Sequence, residues 1–95
     1  MVHGAKFLAI SKTYASDTAS NITTTQTPLI FQELDIQILT NDAYYGDKNV
    51  QAFELTAGDI ISFRSSTGVN LTDIFFKNQT AGNNIVVNAV GLLKE

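Results

Sequence analysis

Leu29-Ile30-Phe31-Gln32-Glu33-Leu34-Asp35-Ile36-Gln37-Ile38-Leu39-Thr40 is the most informative stretch of this chain. Ile30, Leu34, Ile36 and Ile38 fall on one face, with Gln32 the exception. Phe31, Glu33, Asp35 and Gln37 fall on the other. A period of two marks a strand with one buried and one solvated face. A helix would scatter the same apolar residues around its circumference.

Working outward, the same logic finds further strands. Ala5 to Ser11 reads as a first strand, with Phe7 and Ala9 on one face and Lys6, Leu8 and Ile10 on the other. Thr13 to Thr27 is polar and of low complexity, with only Tyr14 and Ile22 to bury. It reads as a long loop, an arm or an edge strand. Pro28 fixes φ at the entry to the next element. Asn41 to Asn49, around Tyr44-Tyr45-Gly46-Asp47, reads as a loop. Val50 to Leu55 and Ile60 to Arg64 read as strands joined into a hairpin by Thr56-Ala57-Gly58-Asp59, where Gly58 can take positive φ. Ser65-Ser66-Thr67-Gly68 reads as a second turn. Leu71 to Lys77 reads as a strand with Leu71, Asp73 and Phe75 alternating against Thr72, Ile74 and Phe76. Asn78 to Asn84 is a polar turn, and Ile85 to Leu93 a closing strand rich in β-branched residues.

Turn signals therefore recur about every ten residues, and no long segment carries a 3.6-residue apolar stripe. The expected fold is all-β: an antiparallel β-sandwich or jelly-roll-like barrel of about six to eight strands. Residues 1–95 suit one domain, with 13–27 as its polar arm or long loop. Asn, Ser and Thr supply 25 of the 95 residues, a composition of turns and solvated strand faces rather than helix interiors.

Composition also narrows the chemistry. The net charge is -3, with five Lys and one Arg, so a basic stripe for nucleic acid is not expected. No apolar run approaches the ~20 residues of a membrane helix. Met1 to Lys6 lacks the layout of a signal peptide. There is no cysteine, which removes disulfides and thiolate metal sites. A small domain without such staples gains stability by oligomerising or docking on a partner.

His3 is the only histidine and sits near a chain end, where an exposed residue is expected rather than a catalytic base or metal ligand. The carboxylates are Asp17, Glu33, Asp35, Asp42, Asp47, Glu54, Asp59, Asp73 and Glu95. Glu33 and Asp35 share a strand face, as polar strand faces commonly do. Asp42 and Asp47 flank the tyrosine pair without the spacing of a Ca²⁺ loop, so turn-forming roles are expected. Tyr44 and Tyr45 must point to opposite sides of an extended chain, leaving one available as a contact anchor or sugar platform. Asn-x-Thr occurs at Asn21, Asn70 and Asn78, read here as turn chemistry rather than glycosylation. The expectation is a non-enzyme with no catalytic residues, no metal and no cofactor.

Leu55-Thr56-Ala57-Gly58-Asp59-Ile60-Ile61-Ser62-Phe63, Leu71-Thr72-Asp73-Ile74-Phe75-Phe76-Lys77-Asn78 and Ile85-Val86-Val87-Asn88-Ala89-Val90-Gly91 follow one another. This cadence resembles small β-sandwich virion proteins of tailed phages, namely capsid decoration (cement) proteins and short fibre or tail modules. The resemblance spans about residues 50–92 and carries no catalytic residues. It implies a structural protein made in the host cytoplasm and placed on the outer capsid surface of the virion. The implied partner is the major capsid (coat) protein or another virion protein. It also implies a homo-oligomer, often a trimer, with no nucleic-acid or membrane partner. The alternative expectation is a carbohydrate- or receptor-binding module of a phage tail or adhesin, resting on Tyr44, Tyr45 and the Asn- and Asp-rich loops.

Overall fold

A computed structural model describes residues 6–14, 17–22 and 29–94. His3, Ala5, Pro28 and the 23–27 part of the polar stretch lie outside the described residues. Eight strands follow in order: β1 (Lys6–Tyr14), β2 (Ser20–Asn21), β3 (Ile30–Leu39), β4 (Ala43–Gly46), β5 (Phe53–Leu55), β6 (Ile60–Asn70), β7 (Phe75–Asn78) and β8 (Ile85–Leu93). One sheet has the order β1-β8-β3-β6 and the other β2-β7-β4-β5. All strand pairs are antiparallel.

First pairs with eighth, second with seventh, third with sixth and fourth with fifth. This nesting is what results when one long hairpin, its tip at β4 and β5, is wrapped around a core. It is the jelly roll, and the expectation of an all-β sandwich or jelly-roll-like barrel holds. Ile36, Ile38, Val87 and Ile85 from the first sheet join Ala43, Leu55 and Phe76 from the second in one buried cluster.

The structure corrects several local expectations. The exception at Gln32 in β3 is a β-bulge between Phe31 and Glu33. An extra residue reverses the alternation, so the buried side chains are Phe31, Leu34, Ile36 and Ile38, while Ile30 is only partly covered. Gly91 stands beside this bulge because a Cβ there would meet the Glu33 carbonyl and the Phe31 ring.

The supposed hairpin of Val50–Leu55 and Ile60–Arg64 does not form. Its two halves belong to different sheets, and Thr56–Asp59 is the corner between them. The corner is stitched by Asp59, whose carboxylate accepts from Thr56 N–H at 2.8 Å, and by Asp42, which accepts from Ala57 N–H at 2.8 Å. Gly58 there has φ 98, the positive value that the turn requires. A hairpin turn and a corner between sheets use the same residues, which explains the misreading.

Ser65–Gly68 is an insertion within β6, not a turn that ends it. Between Phe31 and Glu33 the partner strand runs from Val69 to Arg64. Leu71–Asp73 forms a 3₁₀ turn instead of a strand, with Asn70 as its N-cap. The strand starts only at Phe75, so Phe76 and not Phe75 enters the core. Ala43–Gly46, expected as loop, is a strand of the second sheet. Nor is the polar stretch free of the sandwich where it is described: Ser20 and Asn21 pair with Phe76 and Phe75, and Ile22 is fully buried.

The bulge makes a direct prediction. Phe31→Ala should cost about 3–5 kcal/mol in urea unfolding, as for a large buried aromatic. Ile30→Ala should cost about 1 kcal/mol or less. Strict alternation without a bulge would reverse that order.

Candidate functional site

Four of the described carboxylates, Asp17, Asp42, Asp47 and Asp59, accept hydrogen bonds that fix turns and corners in different parts of the molecule. Asp17 accepts from the Asn78 side-chain amide at 2.7 Å and from Gly82 N–H at 2.8 Å. It thereby ties the β1–β2 connection to the β7–β8 turn. Asp42 and Asp59 hold the β5–β6 corner. Asp47 caps the β4–β5 loop by accepting from Asn49 and Val50 N–H at 2.9 and 2.8 Å. Asp42 and Asp47 stand at opposite ends of β4, about 15 Å apart along an extended chain, so they do not share an ion. Among the described residues no group of three or more metal-ligating side chains converges.

Glu33 and Asp35 share the outer face of β3, as expected. Arg64 Nε lies 3.4 Å from Glu33, its Nη1 4.0 Å from Asp35, and Ser62 donates its hydroxyl to Asp35 at 2.7 Å. These exposed pairs contribute little stability. The three Asn-x-Thr asparagines are all engaged by turns or backbone. Asn21 donates to Thr72 O, Asn70 accepts from Thr72, and Asn78 is buried against Asp17 and Asn83 O.

Tyr44 and Tyr45 do point to opposite sides, but from a strand. Tyr45 packs on the core and on the Phe53 ring, with centroids 5.5 Å apart. Tyr44 faces outward in register with Glu54 and Lys77. A separate cleft of about 490 Å³ lies between the β4–β5 loop and the 3₁₀ turn, lined by Asp47, Lys48, Asn49, Thr72, Asp73 and Phe75. Neither tyrosine lines it.

The largest functional signal is on the first sheet. Inward go Leu8 and Ile10 of β1, the buried row of β3, and Ile85, Val87, Ala89 and Leu93 of β8. Register places the outward residues in rows across the sheet: Phe7–Leu92–Glu33–Arg64, then Ala9–Val90–Asp35–Ser62, then Ser11–Asn88–Gln37–Ile60. The β1 and β8 half of the upper rows is apolar, and the β3 and β6 half is charged. Phe7 is 68% exposed, and no described element covers this face. Asn88 Oδ1 is enclosed at the centre of the face without a donor.

The sequence reading did not single out this face. A signal was present: β8 is apolar on both of its faces, with Val86, Val90 and Leu92 opposing Ile85, Val87 and Leu93. In a two-layer fold only one face of a strand meets the core. A strand apolar on both sides therefore has an unused apolar surface.

Among known protein families, curated proteins and solved structures, none matches the chain.

Asp17 gives this region a pH dependence. The Gly82 N–H and the Asn78 amide, helped by the charge of Lys77, hold its carboxyl below the usual value against a smaller opposing effect of desolvation. A carboxyl lowered in the folded state adds stability above its unfolded pKa and loses it as pH falls through the folded value. Asp17→Asn should therefore reduce stability at pH 7, and the difference from wild type should shrink as pH falls below the ordinary carboxylate range. Thermal melts across this range would check it. A constant difference at all pH values would contradict the assignment.

Proposed function

We propose that the chain is a structural virion protein that decorates or cements a phage capsid by binding across coat-protein subunit joints. The observation that carries this reading is the apolar half-face of Phe7, Ala9, Val90 and Leu92, which no described element covers, bordered by the Glu33–Asp35–Arg64 cluster. An apolar centre beside a charged rim is the composition of a protein–protein contact. Two further points support it. Four carboxylates, Asp17, Asp42, Asp47 and Asp59, hold turns and corners and so serve rigidity. On the same face Phe7 is among the most exposed large apolar side chains of the described residues. The jelly roll is also an architecture of capsid proteins.

The test is co-sedimentation with purified capsids stripped of their outer proteins. Wild type should sediment with the shells. Val90→Lys should weaken binding at least tenfold, whereas Glu54→Lys on the opposite sheet should not. Failure of the wild type to bind such shells would overturn the reading.

The cleft favours a second reading, a carbohydrate- or receptor-binding module. Its Phe75 ring supplies an apolar floor, and Asp47, Asn49 and Asp73 supply hydrogen-bonding groups on capped, well-fixed loops. Saccharides are held by this combination of ring and polar groups. On a glycan array, binding lost on both Phe75→Ala and Asp73→Ala would support this reading. Binding by neither wild type nor variants would remove it. Tyr44→Ala should have no effect, since Tyr44 is outside the cleft.

A further inference from the structure

A jelly roll of this kind has four strand edges, one at each side of each sheet. Two are short: β2 has two residues and β5 three. A third, β6, is broken by the Ser65–Gly68 insertion and carries the Arg64 charge cluster. Short edges, bulges and charges are the devices that keep strand edges from pairing. The fourth, β1, is neither short nor bulged, and no described strand pairs with its outer side. Its nine residues run in unbroken register with β8, from Lys6 with Leu93 to Tyr14 with Ile85. Lys12 does not shield the edge, because its ammonium donates to Asn21 O at 2.9 Å and lies 4.8 Å from the Tyr14 ring centre.

The hydrogen-bond pattern identifies which groups on β1 are open. Ile38 N–H donates to Asp59 O and Ile38 O accepts from Gly58 N–H, so Ile38 turns its backbone groups towards the β6 side. Antiparallel strands alternate, so Gln37 and Leu39 turn theirs towards β8. Their partners Asn88 and Val86 reciprocate, which leaves Val87, Ala89 and Gly91 to face β1. These pair with Lys12, Ile10 and Leu8. The backbone N–H and C=O groups of Phe7, Ala9, Ser11 and Thr13 therefore point away from the sheet, and all four side chains are exposed.

We infer that this edge pairs with β1 of a second copy, antiparallel about a twofold axis at Ile10. In that register Phe7 meets Thr13 of the other copy and Ala9 meets Ser11, each pair exchanging two hydrogen bonds. Every open group on both strands is used. Lys12 falls opposite Leu8 and Lys6 opposite Tyr14, so no two lysines face each other. The apolar rows also run across the joint, with Leu92 and Phe7 of one copy meeting Thr13 and Val86 of the other. Other edge partners fit the groups but not this self-complementarity. The joint is one strand long, about 30 Å, and narrower than the ~800 Å² per partner of a standard stable interface. The dimer is therefore reversible. The inference is independent of the capsid reading, since capsid binding plays no part in its test.

Sedimentation equilibrium from about 1 µM to 1 mM should show a monomer–dimer transition. Ala9→Pro and Ser11→Pro each remove a donor from the open edge without touching the β1–β8 ladder. Each should weaken association at least tenfold with little change in melting temperature, whereas Ile10→Pro should disrupt folding. Wild-type amide exchange is a second readout that needs no variant. Phe7, Ala9, Ser11 and Thr13 should exchange fast when dilute and slow at least tenfold when concentrated, while Leu8, Ile10 and Lys12 stay protected at both. A monomer at every concentration would overturn the inference. So would a trimer, a dimer indifferent to both prolines, or edge amides that ignore concentration.

Discussion

The pairing of β3 with two neighbours constrains everything else in this molecule. β3 is one of the two inner strands of the first sheet and pairs along its length with β6 on one side and β8 on the other. Its buried row of Leu34, Ile36 and Ile38 fixes the register on both sides, because a slip by one residue would turn that row to water. The bulge at Gln32 then brings Phe31 inward at the end of the same row. β8 must follow, with Gly91 at the point of closest approach, and β1 follows β8 in turn. The direction in which each backbone group of β1 points is thus set two strands away.

Function inherits that constraint. A wrapped hairpin of eight strands closes a core with a short chain, but it cannot close all its edges. Backbone groups left at an edge are satisfied by water, and each gains about 1 kcal/mol at most when a strand replaces that water. The gain is small singly and useful only as a ladder, which is what β1 offers. The adjoining apolar rows of Phe7, Ala9, Val90 and Leu92 add hydrophobic area where the ladder would form. Contact by edge and face together fits a protein in which Asp17, Asp42, Asp47 and Asp59 are occupied with holding turns and corners.

The architecture was legible in the sequence where periodicity speaks. β8 falls at the expected Ile85–Leu93, β3 nearly so, and Gly58 takes its expected positive φ. What was not legible follows from the physics of short elements. Ala43–Gly46 is too short for a period of two to show above its polar neighbours, so β4 read as loop. Thr56–Asp59 has turn chemistry whether the chain returns in the same sheet or crosses to the other. Gln32 was visible as an exception, but alternation alone does not say which flanking residue moves inward. The contact face was legible in principle, since β8 is apolar on both sides. The tyrosine pair drew attention instead, and its side chains divide between core and outer sheet surface.

The most direct test of contact through β1 is a structure of the protein in its native assembly at a resolution that separates strands. The prediction is a strand about 4.8 Å from the open edge of β1, bonded to the backbone of Phe7, Ala9, Ser11 and Thr13. The strand should be β1 of a second copy. Those four residues facing only water, with the assembly held through the other sheet, would contradict it.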